Sequence, residues 1–311
     1  MKGWIKKHLV TLILMGIGLL GMGLILYPTF ADWWNSFNQS RAVATYVEAV
    51  ANLSQGQYDE IIKAAEDYNV RLSENGLRWN MTDEEIAEYE GLLDITGTGI
   101  MGYIEIPKIN ETLPIYHGTD ESVLQVAIGH LAGTSLPVGG EGSHCVVSGH
   151  RGLPSARLFT DLDKLIAGDT WTISVLGRIY TYEVDQIRVV EPTDLSNLQI
   201  EDGKDYCTLV TCTPYGINTH RLLVRGHRIA NEQGVMSVIA DGVQIEAIYV
   251  APFLAIPMLL VLFIILMILT SKRMQRRRAR KAALRKALKE MKKGDGEDAD
   301  IDLPDDEDEG E

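Results

Sequence analysis

Cysteine is scarce in this sequence, with three residues in 311: Cys145, Cys207 and Cys212. An odd count excludes a fully paired disulfide framework and leaves at least one thiol unpaired or bonded to another molecule. Internal repeats are absent, so a stacked-repeat architecture is excluded. Positive charge is also in deficit, with 29 Lys+Arg against 43 Asp+Glu. The segment from 271 holds 12 of each sign, and residues 1–27 hold three lysines and no acid. That leaves 14 basic and 31 acidic residues in the middle, a balance of −17 that argues against nucleic acid as a partner. Such a surface keeps a domain soluble and suits an encounter with cationic groups such as lysines.

What is present in length is apolar. Residues 9–27 (LVTLILMGIGLLGMGLILY) and 248–270 (IYVAPFLAIPMLLVLFIILMILT) carry no charge, and each is long enough to cross a bilayer as a helix. Pro252 and Pro257 are tolerated in such a segment. The first run lacks a small-x-small cleavage site at Tyr27-Pro28-Thr29-Phe30 and exceeds signal-peptide length, so it is expected to be retained. Cationic flanks stay inside. Lys2, Lys6 and Lys7 precede the first run, and a cluster from Lys272 to Lys281 follows the second. Both termini are therefore expected in the cytoplasm, with the middle of the chain outside a two-pass membrane protein in contact with lipid.

Between the runs the texture changes once. Residues 31–93 read as helical, with a Ser-Glu-Asn-Gly break at 73–76 and a capping box from Thr82 to Glu85. Trp33, Trp34 and Phe37 fit an aromatic belt at the membrane interface. From Gly97 onward, seven short β-rich runs alternate with Gly and Pro, as in an all-β barrel or sandwich. They are GYIEIPKI, ETLPIYHG, HCVVSGH, TWTISVL, RIYTYEVDQIRVV, YCTLVTC and HRLLVRGHRI. Short helices are expected over 120–131 and 157–167. The boundaries are then a cytoplasmic start at 1–8, a span at 9–27, a helical extension at 28–96 and a β domain at 97–232. A linker at 233–247, a second span at 248–270 and a cytoplasmic basic helix with a disordered acidic tail at 271–311 complete the chain.

A lone cysteine at a strand end is ordinarily a buried small hydrophobe, so Cys212 needs partners to count. TLVTC ends a strand, TPYGINT turns, and HRLLVRGHR starts the next, so a hairpin would bring Arg221 close to Cys212. A cysteine nucleophile reacts as the thiolate, and a nearby cation both favours that form and can bind an oxyanion. The proton donor for a leaving amine is most simply a histidine. Of seven, His117, His130, His144 and His227 fall within regular patterns that suit structural roles. His220 adjoins Arg221 and points to the other face. His150 ends HCVVSGH and opens the loop RGLPS, where an exposed functional side chain is expected.

The segments TLVTCTPYGINTHRLLVRGHR, SGHRGLPSARLFTDLDKL and MGYIEIPKI with LPIYHGT closely resemble the sortases, and among them the class C, pilus-assembling type. The resemblance covers about residues 97–229. It implies a mainly β fold, a closed sortase-type β-barrel with short helices, preceded by a helical extension and flanked by two transmembrane helices. It also implies a catalytic set of Cys212, His150 and Arg221 acting on an LPxTG-like sorting signal, with no cofactor and no metal. Cys212 would take the Thr carbonyl as a thioester, His150 would protonate the departing Gly amine, and Arg221 would hold substrate or oxyanion. A lysine of another pilin would then resolve the thioester. The partners would be pilins or surface proteins with C-terminal sorting signals.

One family feature is missing. Class C sortases carry an Asp-Pro-aromatic lid upstream of the barrel, and no such triplet occurs between 31 and 97. The closest segment is SENGLRWNM, where Trp79 is the candidate plug or an ordinary loop anchor. In the implied fold the strands leading into His150 and Cys212 run parallel. Cys145 and Cys207, each five residues earlier, are then expected as neighbours, either disulfide-bonded or as two small core residues. Two other readings are a sortase whose accepting amine belongs to a peptidoglycan precursor, and a catalytically silent two-span scaffold. The intact Cys212, His150 and Arg221 argue against the scaffold.

Overall fold

A computed structural model of the chain describes residues 2–231, 276 and 279–288. It forms two units, Met1–Ile245 and Glu246–Glu311. In the second unit, residues 279–288 are helical, within the segment read as a basic helix. The linker, the apolar run 248–270 and the acidic tail lie outside the described residues.

Three helices precede the β domain. α1 (Lys2–Ala51) passes through Pro28 as one helix. α2 (Gln55–Asn75) begins with a capping box in which Ser54 and Gln57 satisfy each other's backbone N–H groups, and it stops at Gly76, within the break read from the sequence. α3 (Asp83–Gly91) opens on the Thr82–Glu85 capping box, with three acidic residues in its first turn facing the positive end of the helix dipole. Among the described residues no helix is long and apolar enough to cross a membrane. Of the first apolar run, the side chains of residues 9–12, 14 and 15 lie outside the described set.

Eight strands follow: β1 (Ile100–Ile106), β2 (Glu111–His117), β3 (Ile128–His130), β4 (Ser143–Ser148), β5 (Thr170–Val175), β6 (Arg178–Val190), β7 (Asp205–Thr213) and β8 (His220–Ile229). They close in the order β1-β2-β3-β4-β7-β8-β6-β5, with β1 pairing β5. Only β2–β3 and β4–β7 are parallel among these pairs. Closure at eight strands leaves an interior that side chains fill, here Trp171, Tyr182, Ile104, Leu113 and Ile173. Alternation gives each wall two faces. Cys145 and Val147 of β4, Cys207 and Leu209 of β7, and Leu222 and Val224 of β8 enter that core. Val146, Val210 and Leu223 pack on the other side, beneath Val190, Leu195 and Leu198.

All seven expected runs are strands, and β3 is an eighth that the sequence reading folded into a helix. Residues 120–131 instead make a one-turn helix, α4 (Glu121–Leu124), and then β3, which pairs with β2 and β4. Pairing on both sides outweighs the local helical spacing. Residues 157–167 are turns with a 3₁₀ turn at Leu162–Lys164. Their helical spacing reflects Leu158, Phe159, Leu162 and Leu165, all buried against the barrel.

Candidate active site

The β7–β8 hairpin does what its sequence suggests. Cys212 and Arg221 are Cα partners across the antiparallel pair, so their side chains leave the wall on the same side, directly opposed. The Arg221 guanidinium is steadied at the hairpin loop, where Nη1 donates to His220 O at 3.1 Å and to Asn218 O at 3.4 Å. His220 pairs instead with Thr213, and its Nε2 lies 3.2 Å from Glu191 Oε1.

His150 arrives from the other side of β7. β4 and β7 run parallel in register from Ser143↔Asp205 to Ser148↔Val210. Past the strand end, Gly149 N donates to Val210 O at 3.0 Å and Thr211 Oγ1 donates to Gly149 O at 2.7 Å. Carrying the register two residues further sets His150 alongside Cys212. Gly149 is where the chain narrows, because a Cβ there would sit 2.7 Å from the Phe159 ring and 2.8 Å from Ile128. The His150 side chain is 27 % exposed, and its Nε2 faces Glu121 Oε2 of α4 at 3.7 Å.

Arg151 is a residue that the sequence reading passed over. It is largely buried, its Nε donates to Thr160 O at 3.2 Å, and it pairs with Asp163. Nη1 reaches Thr213 Oγ1 at 3.3 Å, beside Cys212, and the guanidinium lies 5.9 Å from the centre of the Tyr215 ring. It therefore ties the loop after His150 to the exit of β7. Adjacency to His150 was its only signal, and no spacing rule marks it.

Arg221, the cross-strand partner of Cys212, lines an apolar groove. Val146, Val190, Leu195, Val210 and Leu223 line it, with Arg221 as its cation. Alternation puts Val210 on the side of Cys212, and Leu223 on the side of Arg221. An extended peptide with apolar side chains and a reactive carbonyl fits that combination.

Cys145, Cys207, His117, His130 and His144 have structural surroundings. Cys145 and Cys207 are in register and free. Both are buried, and burial pushes the Cys145 thiol well up, away from the reactive thiolate. They are the neighbours expected, without a disulfide. His130 Nε2 donates to Ser135 O at 2.8 Å, its Nδ1 lies 3.0 Å from Tyr89 Oη, and burial holds it down at about 4. His144, between Gln199 O and Thr208 Oγ1, is likewise lowered by burial to about 4. His117 has a carbonyl oxygen at each ring nitrogen. Among the described residues no group of three or more His, Cys, Asp or Glu could hold a metal ion. Trp79 sits between α2 and α3 on a segment that docks by a bond from Arg78 N to Gly133 O at 3.0 Å.

A barrel wall that pairs cysteine with arginine beside an apolar groove, with a histidine just past the neighbouring strand, defines a candidate cysteine acyl-transfer site in a β-barrel. The Sortase domain family matches residues 104–229. Sortase C1 from Streptococcus agalactiae is 58 % identical and superposes at TM-score 0.61, covering 62 % of this chain and all of that one. A Clostridium perfringens sortase C solved with the C-terminal cell wall sorting motif is 44 % identical at TM-score 0.55, covering 61 % of this chain and 99 % of that one. Sortase D of Bacillus subtilis is 32 % identical over 131 residues, which is 41 % of this chain and 63 % of that protein. The chain therefore spans less than two thirds of that curated relative. It belongs to the sortase family, and these solved neighbours are C-type sortases.

Proposed function

We propose that the protein is an extracytoplasmic cysteine transpeptidase that polymerises pili. The observation that carries this reading is the pairing of Cys212 with Arg221, which lines the apolar groove, with His150 two residues past the end of the parallel β4–β7 register. The substrate is an LPxTG-like sorting signal, cut between Thr and Gly. The Cys212 thiolate attacks the Thr carbonyl, Arg221 stabilises the oxyanion, and collapse expels the Gly amine, which takes its proton from His150. A pilin lysine then attacks the thioester, gives a proton to His150, and leaves an isopeptide bond with the Cys212 thiolate restored. The reaction balances without redox change, so no cofactor is called for.

Residues 9–27 and 248–270 are proposed as spans that hold the catalytic domain against the outer membrane face, with both termini inside. Their lack of charge and their cationic flanks support this placement. The test of the chemistry is thioester capture on an LPxTG-type peptide. Cys212→Ala should abolish it, and Cys145→Ala and Cys207→Ala should retain it. His150→Ala and Arg221→Ala should each lower turnover by about 10²-fold or more. Capture surviving in Cys212→Ala would overturn the mechanism.

A further inference from the structure

Between residues 30 and 40, α1 buries the wrong side for an ordinary amphipathic helix. Trp33, Trp34 and Phe37 are exposed, and Gln39 is buried with Asp32 and Asn35 half-buried. Positions 32, 35 and 39 fall on one face, at spacings of three and four. Each meets backbone of a loop beside His150. Asp32 Oδ1 accepts from Arg157 N at 2.9 Å, and Asn35 Nδ2 donates to Ser155 O at 2.8 Å. Gln39 Nε2 donates to Val126 O at 2.6 Å. Ser155 and Arg157 belong to the loop that leaves His150. Val126 links α4, whose Glu121 faces His150, to β3.

The same face continues into the barrel. Tyr46 is buried, its hydroxyl donating to Met101 O at 2.9 Å and accepting from Leu176 N at 2.9 Å. That end is fixed, so the polar stripe is held at a set place over the two loops. Apart from a Leu153↔Ala156 bridge, no ladder holds the 153–157 segment among the described residues, so a helix at its side supplies order that the sheet does not.

We infer that Asp32, Asn35 and Gln39 form a strap that positions the two walls around His150, with Asn35 the positioning residue for the loop after it. The inference rests on the proposed catalytic role of His150. It concerns placement of that residue and leaves Cys212 access open, so it differs from a lid over the thiol.

The test uses full-length protein in lipid vesicles, comparing parent with Asn35→Ala and Gln39→Ala by hydrogen exchange, melting temperature and peptide kinetics. Expected are faster exchange at amides 151–157 in Asn35→Ala and at 124–128 in Gln39→Ala. Turnover should fall at least tenfold, with KM within twofold and the melting temperature nearly unchanged. Alkylation of Cys212 by iodoacetamide should stay at the parental rate. Unchanged exchange overturns the strap, as does faster exchange with parental turnover. Parent protein inactive on every sorting peptide would instead overturn the proposed function, and exchange at 151–157 would still decide the strap.

Discussion

At the scale of single residues, the site depends on small and easily overlooked positions. Gly149 is one of them, since Phe159 and Ile128 occupy the space a side chain would need. Gly149→Ala should destabilise the protein by about 1–3 kcal/mol, the usual cost of overpacking, and should lower turnover by moving His150. Melting and kinetics on the same preparation check it, and a parental result in both would show that the neighbours yield. The pairing of Cys212 with Arg221 was legible in advance, because a cysteine at a strand end, a turn and an arginine form a local pattern. Arg151 was illegible, because its value lies in reaching Thr213, 62 residues away, by a path that only the fold supplies.

At the scale of elements, strands flanked by turn residues could be read, and β3 could not. Three residues give no alternation to detect, and β3 exists because β2 and β4 both need a partner. The helices show the same division. The cap at Thr82 is local and visible, whereas the polar face of α1 looks like an ordinary solvated stripe until the loops appear beside it. Trp79 belongs to this scale as well. Its segment is docked through backbone at Gly133, so Trp79→Ala should leave the rate of Cys212 modification by a thiol reagent unchanged. A faster rate in the variant would make the segment a lid after all.

At the scale of the whole molecule, burial of His130 and His144 sets an acid limit. Both are held at about 4, below the ordinary value of 6.5. Between those values the unfolded chain binds protons that the folded chain refuses, so stability rises with pH there and is lost as pH falls from about 6.5 to 4. The loss is on the order of 3 kcal/mol per histidine. Denaturant titrations at pH 7 and 4.5 should show it, and His130→Gln should flatten the dependence; a flat parental profile would contradict the assignment. The unbroken course of α1 has its own consequence at this scale. Tyr27, at the end of the apolar run, and Asn35, beside the histidine loop, are eight residues apart in one helix, about 12 Å at 1.5 Å per residue. With residues 9–27 placed in the bilayer as proposed, the helix is a ruler. On that placement it would fix the altitude at which a peptide can be cut, and a target would be selected by how far its scissile bond stands off the lipid as well as by its letters.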